Sequence, residues 1–123
     1  MLDVDVIGDA LPPTAVIEAC VLAAASAGIE DGHVAVEFVD AERIAELNLA
    51  HRGKEGPTDV LSFPVDEHDA FGPRELGDVV ICPEHTEDLL EAVVHGMLHL
   101  TGMDHETDEG EMLALQAEIR SWL

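Results

Sequence analysis

A chain of 123 residues is long enough to bury one hydrophobic core without disulfide or metal staples, and an apolar content of 47% excludes a disordered protein. Five Lys and Arg against 27 Asp and Glu give a formal charge of -22, which repels nucleic acid, DNA included, and anionic membranes at long range, so any anionic substrate has to be held by local charge. The longest apolar stretch, Ala15 to Ala27, contains Glu18 and is too short to span a bilayer, the amino terminus has no basic segment leading into an apolar run, and Cys20 and Cys82 lack zinc-type spacing.

These bounds predict a single domain over residues 1–123, placed in the cytoplasm, with two buried and reduced thiols. Val4 and Val6 alternate with Asp5 as in a strand, and Pro12-Pro13-Thr14 opens a helix that runs through an Ala-rich segment to Gly28. His33 to Val39 sets Val34, Val36 and Phe38 on one face and Ala35, Glu37 and Val39 on the other, the pattern of a second strand. Asp40 is placed to cap a helix in which Ala41, Ile44 and Leu47 recur at helical spacing. The polar segment His51-Arg-Gly-Lys-Glu-Gly-Pro57, with two glycines and a proline, predicts a loop.

Val60 to Phe63 reads as a strand closed by Pro64, and Gly77 to Cys82 as another; the two are expected to pair as an antiparallel hairpin across a polar connection from Asp66 to Glu75. Pro83 is expected to begin the next helix, and Thr107 to cap a last one in which Met112, Leu115, Ile119 and Trp122 form one apolar stripe. The order β-α-β-α-β-β-α-α predicts an α+β fold: a mixed, mostly parallel four-stranded sheet with an antiparallel hairpin and helices packed on it.

The helix after Pro83 carries the chemistry. His95 and His99 are one turn apart on one helical face, where both imidazoles can reach one cation. Gly102 suits the left-handed conformation that ends a helix, so the chain can reverse there and return His105 to the same point. A three-histidine site with an open coordination position follows, and no cysteine stands nearby to close it as a structural zinc site. Three neutral imidazoles leave a divalent charge uncompensated, which favours an anionic substrate; zinc, copper, nickel and iron all suit such a set. The spacing equals that of the metzincin proteases, which makes this a zincin-like helix, but Gly96 stands where those enzymes carry their general-base glutamate. Glu91, one turn before His95, is either a substitute base or a solvated helix residue. Arg52, Lys54 and Arg74 are three of the five cations and fall in the two loops beside the middle strands, where a guanidinium could grip a phosphate bidentately or form a surface ion pair. His33, His51, His68 and His85 lack mutual spacing and are expected on the surface.

The segments Glu46-Leu-Asn48 followed by Arg52, Pro57-Thr-Asp-Val-Leu-Ser-Phe-Pro64, Leu76-Gly-Asp-Val-Val-Ile81 and His95-Gly-Met-Leu-His-Leu-Thr-Gly-Met-Asp-His105, in this order, resemble the YbeY family of bacterial endoribonucleases. The resemblance implies a single-strand-specific, metal-dependent RNA hydrolase of small-subunit ribosomal RNA maturation and ribosome quality control, whose partners are single-stranded RNA and the small ribosomal subunit. It implies one zinc ion per chain on His95, His99 and His105, and it carries the family's essential arginine onto Arg52. Asp104 is expected to orient a ligand imidazole or to serve as a turn residue. His51 and Met103 occupy positions where the family commonly has tyrosine; with no Tyr, one Trp and three Phe, base stacking contributes little. The lysine-poor, acidic surface is that expected of a protein working in concentrated salt, where long-range repulsion of RNA is screened. Two other readings use the same residues: a metal-dependent peptide or amide hydrolase, and a non-catalytic, ribosome-associated metal-binding module.

Overall fold

The computed structural model of the protein describes residues 2–65 and 74–123. The connection expected from Asp66 onward lies outside these residues except for Arg74 and Glu75, and so does His68. Four strands, β1 (Leu2–Ile7), β2 (Gly32–Phe38), β3 (Val60–Pro64) and β4 (Glu75–Ile81), form one sheet in the order β1-β2-β4-β3. β1, β2 and β4 are parallel and β3 runs antiparallel to β4, as the alternation of elements predicts.

Helix α1 (Pro13–Ser26) buries Val16, Ala19, Cys20, Ala23 and Ala24, a stripe at helical spacing. It stops at Gly28, at φ 77°, where Gly28 N donates to Ala25 O and Ile29 N to Ala24 O, satisfying the last carbonyls. Helix α2 (Ala41–Arg52) is capped by Asp40, whose carboxylate accepts from Arg43 N at 2.8 Å. It extends further than its sequence suggests: His51 and Arg52 are its last helical residues, and Gly53 at φ 66° ends it. The expected loop therefore begins at Gly53.

The histidine helix also differs at its start. Pro83–His85 is a separate single 3-10 turn, and α3 spans Leu89–Leu100 with Asp88 as its cap, accepting from Glu91 N at 3.1 Å. The break follows from the chain: Thr86 Oγ1 donates back to Cys82 O, closing the turn before a fresh cap is available. Helix α4 (Glu111–Ser121) begins four residues after the expected Thr107 cap. Asp108 performs that task, taking Gly110 N and Met112 N at 2.9 Å each, while Thr107 is drawn into a turn on Asp104. Met112 and Ile119 are fully buried and Leu115 partly so, but Trp122 is 53% exposed because α4 ends at Ser121 and the stripe with it.

Alternation along β4 divides the core. Val79 and Ile81 join α1, α3 and α4 on one face, while Val80 and Cys82 pack with Ile44 of α2 and Leu61 on the other. Cys20 and Cys82 are both fully buried free thiols, and burial pushes the Cys20 thiol up to about 12. Among the described residues, no helix is long and apolar enough to cross a membrane.

α3 approaches the sheet closely at Gly96. A Cβ there would overlap both methyls of the fully buried Val79, so glycine lets the helix backbone lie directly on β4. Ser62 Oγ of β3 donates to Gly96 O at 3.1 Å and fixes the helix laterally. Gly96→Ala should cost about 1–3 kcal/mol by overpacking, read as a lowered urea midpoint, and Val79→Ala in the same chain should recover part of the loss.

His33 is not a free surface side chain. Its Nε2 meets Asp5 Oδ2 and its Nδ1 meets Glu75 Oε2, each at 2.7 Å, so one ring links three parallel strands. Hydrogen bonds to Asp5 and then Glu75 raise its pKa above the ordinary histidine value. A raised folded pKa gives stability that is complete below about pH 6.5 and is lost as pH rises through the folded value. The ring is 27% exposed, so solvent screens part of the effect. The difference in thermal midpoint between the protein and His33→Gln should therefore be largest near about pH 5.5 and shrink toward about pH 9, as followed by circular dichroism.

Candidate metal centre and adjoining cleft

His95 and His99 project from one face of α3, the side away from its buried Val93, Met97 and Leu100. Their ring centroids are 4.8 Å apart. The helix stops where its glycine requires: Gly102, at φ 103°, donates to His99 O at 3.0 Å, and Met103 N donates to Leu98 O at 3.1 Å. Asp104 then turns the chain, its Oδ1 accepting from Glu106 N at 2.9 Å and its carbonyl from Asp108 N at 3.1 Å. This reversal brings the His105 ring to 5.1 Å from His95 and 5.3 Å from His99. One nitrogen from each of the three histidines lies within 4.8 Å of the others, all partly buried, so the group can hold one metal ion.

Hydrogen bonds decide which nitrogen His95 and His99 present. His99 Nδ1 donates to Met103 O at 3.0 Å, and His95 Nδ1 donates to Gln116 Oε1 of α4 at 2.7 Å, leaving Nε2 of both rings as the lone-pair donors. Burial, and next the neighbouring His95, lowers the pKa of His99, favouring the neutral form that ligates. The donor set therefore fits a divalent ion of the zinc type.

Asp104 is the turn residue of the two alternatives, since its carboxylate is engaged with Glu106 N and the orienting acceptors are Gln116 and the Met103 carbonyl. Gln116 was legible only indirectly: it lies between Met112 and Ile119 at helical spacing, a polar residue set in a buried stripe. The Met103 carbonyl has no sequence signal, because its role comes from the left-handed glycine before it.

Beside His95 opens a cleft of about 470 Å³ whose lining includes Asp59, Val60, Glu91, Ala92 and Gln116. His85, expected as an ordinary surface histidine, lines it too, and Glu91 faces it on the same side of α3 as His95. Arg52 is exposed in the last turn of α2 and is not among the residues that line the cleft. The chain links them: Asn48 Nδ2 of α2 holds Gly56 O at 2.9 Å, and the loop then runs into Asp59 at the cleft wall. Arg52 and Lys54 make no ion pair or hydrogen bond with another side chain among the described residues. Arg74 stands before β4, at the other end of that strand from Ile81, beside whose partner Val60 the cleft lies; the three cations are not gathered at one place.

A sheet with this order, carrying a helix and returning turn that converge three imidazoles, defines an α+β domain of the zincin-like class. Residues 14–123 match the family model described as endoribonuclease YbeY. The chain belongs to the YbeY family of endoribonucleases. It is 42% identical to the endoribonuclease YbeY of Rubrobacter xylanophilus, covering 91% of this chain and 85% of that one. It is 41% identical to that of Corynebacterium efficiens over 72% of this chain, and there it spans only 56% of the relative's length. A Thermotoga maritima protein of known solution structure superposes with a TM-score of 0.58 at 32% identity, covering 94% of this chain and 85% of that one.

If Gln116 holds the His95 ring in its ligating orientation, Gln116→Leu should lower zinc affinity about 10–100-fold in competition with a chromophoric chelator, while the circular dichroism spectrum stays that of the folded protein.

Proposed function

We propose that this chain is a single-strand-specific, zinc-dependent endoribonuclease of the cytoplasm, acting on ribosomal RNA in small-subunit maturation and ribosome quality control. The observation that carries this reading is the convergence of three imidazoles, with nitrogens within 4.8 Å, beside an open cleft in a chain of the YbeY family. His95, His99 and His105 would hold the ion, which supplies Lewis acidity toward a phosphoryl oxygen and lowers the pKa of a bound water.

The remaining work falls to the chain's own residues. Gln116 and the Met103 carbonyl accept from Nδ1 of His95 and His99, so each ring turns its Nε2 toward the site. Arg52 has no ion-pair partner among the described residues, in a chain with 27 acidic side chains, so its guanidinium is available for bidentate contact with a phosphodiester. Its charge would stabilise the negative charge that builds on the phosphoryl oxygens during displacement. The cleft beside His95 supports a single-stranded substrate, whose unpaired bases are free to enter it. The peptidase alternative needs a carboxylate after the first histidine, and Gly96 is closed there by Val79.

Purified protein should contain about one zinc per chain and cut single-stranded RNA, leaving duplex RNA and DNA intact. Arg52→Ala should lose about 10²–10³-fold in kcat with zinc content unchanged, and chelation should abolish cutting. Bound metal without cleavage, or cleavage indifferent to both chelator and Arg52, would leave the non-catalytic metal-binding module as the reading.

A further inference from the structure

The cleft of about 470 Å³ beside His95 is poorly suited to a phosphate. Among the described residues that line it, Val60 and Ala92 are apolar, Asp59, Glu87, Asp88 and Glu91 carry carboxylates, and there is no Lys or Arg. A cavity of this size has room for one nucleobase. Coulomb repulsion then divides a bound nucleotide in two: the phosphodiester goes to the imidazoles and Arg52, and the uncharged base goes to the cleft. Carboxylates are acceptors only, so they select bases by the donors that those bases present.

The carboxylates of the cleft are unequal. Asp88 is spent, its Oδ1 on Glu91 N at 3.1 Å and its Oδ2 on Arg120 Nε at 2.8 Å. Asp59 Oδ1 accepts from Val60 N at 2.8 Å and from Thr58 Oγ1 at 3.2 Å. Glu87 and Glu91 are both exposed, and neither side chain makes a hydrogen bond or ion pair among the described residues. Of the two, Glu91 stands one turn before His95 on α3, so a ring held by Glu91 lies next to the reaction centre.

We infer that the cleft is a base-binding subsite of the RNA hydrolase proposed above, and that Glu91 selects guanine in it. Guanine presents two adjacent donors on one edge, the ring N1–H and the exocyclic amino group, which match the two oxygens of one carboxylate. Cytosine and adenine offer one amino group beside a ring acceptor, and uracil offers one imino hydrogen between two carbonyls that a carboxylate repels. The bases of a single strand expose these edges. Glu91 is therefore a specificity-determining residue, and the inference rests on the nuclease reading for its biological use.

Two measurements on the zinc-loaded protein separate the subsite from the chemistry. Guanosine, inosine and uridine carry no phosphate, and titrating each while following the backbone amides of Glu91 and Ala92 by NMR reads base binding without cleavage. Guanosine should shift both signals, inosine, which lacks the amino group, should bind at least about fivefold more weakly, and uridine should leave them in place. In single-stranded RNAs that differ only in one base next to the cut, guanine should exceed uracil at least about tenfold in kcat/KM, and Glu91→Gln should bring that ratio close to one. Equal binding of guanosine and uridine, or a guanine-to-uracil ratio that survives Glu91→Gln whatever the absolute rate, overturns the proposal. RNA left uncut while guanosine still shifts the cleft signals would remove the nuclease reading and keep the subsite.

Discussion

The close contact between α3 and the sheet at Gly96 is the constraint on which the rest depends. Because no side chain intervenes, the helix backbone lies against Val79, and the Ser62 hydroxyl from the edge strand can reach the Gly96 carbonyl. Val93, Met97 and Leu100 then fill the core on one side of the helix, which leaves His95 and His99 directed to the other. The position that zincin proteases use for a base serves here for packing. A carboxylate at 96 would meet Val79 and lift the helix, so the chemistry has to be assembled from outside that position.

That assembly is spread over separate elements. Two imidazoles come from α3, the third from the turn behind Gly102, one orienting acceptor from α4, and the acidic cleft wall from the residues around the start of β3 and α3. His95 and His99 are each held by a neutral acceptor and not by a carboxylate, so a bound dication would keep its full charge. On a surface of net charge -22 this would be a small positive region in a negative field. Salt shortens the reach of that field to about 8 Å at physiological ionic strength, and further in concentrated salt, so that under the proposed function the local charges of the ion and of Arg52 would decide whether RNA is held.

Most elements were legible because their signals are local. Asp40 as a cap, the αL stops at Gly28 and Gly102, and the alternating strands Val34–Val36 and Val79–Ile81 each depend on a few neighbouring residues. The errors share a cause, which is competition between neighbouring signals. His51 and Arg52 read as loop because two glycines follow, yet Gly53 stops a helix that includes them. Pro83 and Thr107 are acceptable starts, but Asp88 and Asp108 accept backbone N–H groups further on and set the actual helix origins. Trp122 continues the period of α4 in sequence and lies beyond its last turn in space.

From the sequence alone came the order of elements, the histidine spacing, the helix stop that allows a third ligand to return, and the motifs by which the chain resembles its family. Those are properties of residues a few positions apart, where backbone preference and periodicity act directly. Only the tertiary structure decided that Gly96 is a packing contact, that Gln116 and the Met103 carbonyl set the ring tautomers, and that His33 ties three strands together. Each of these joins groups that are distant in the chain or belong to the backbone, and side-chain periodicity carries no information about which of them will meet.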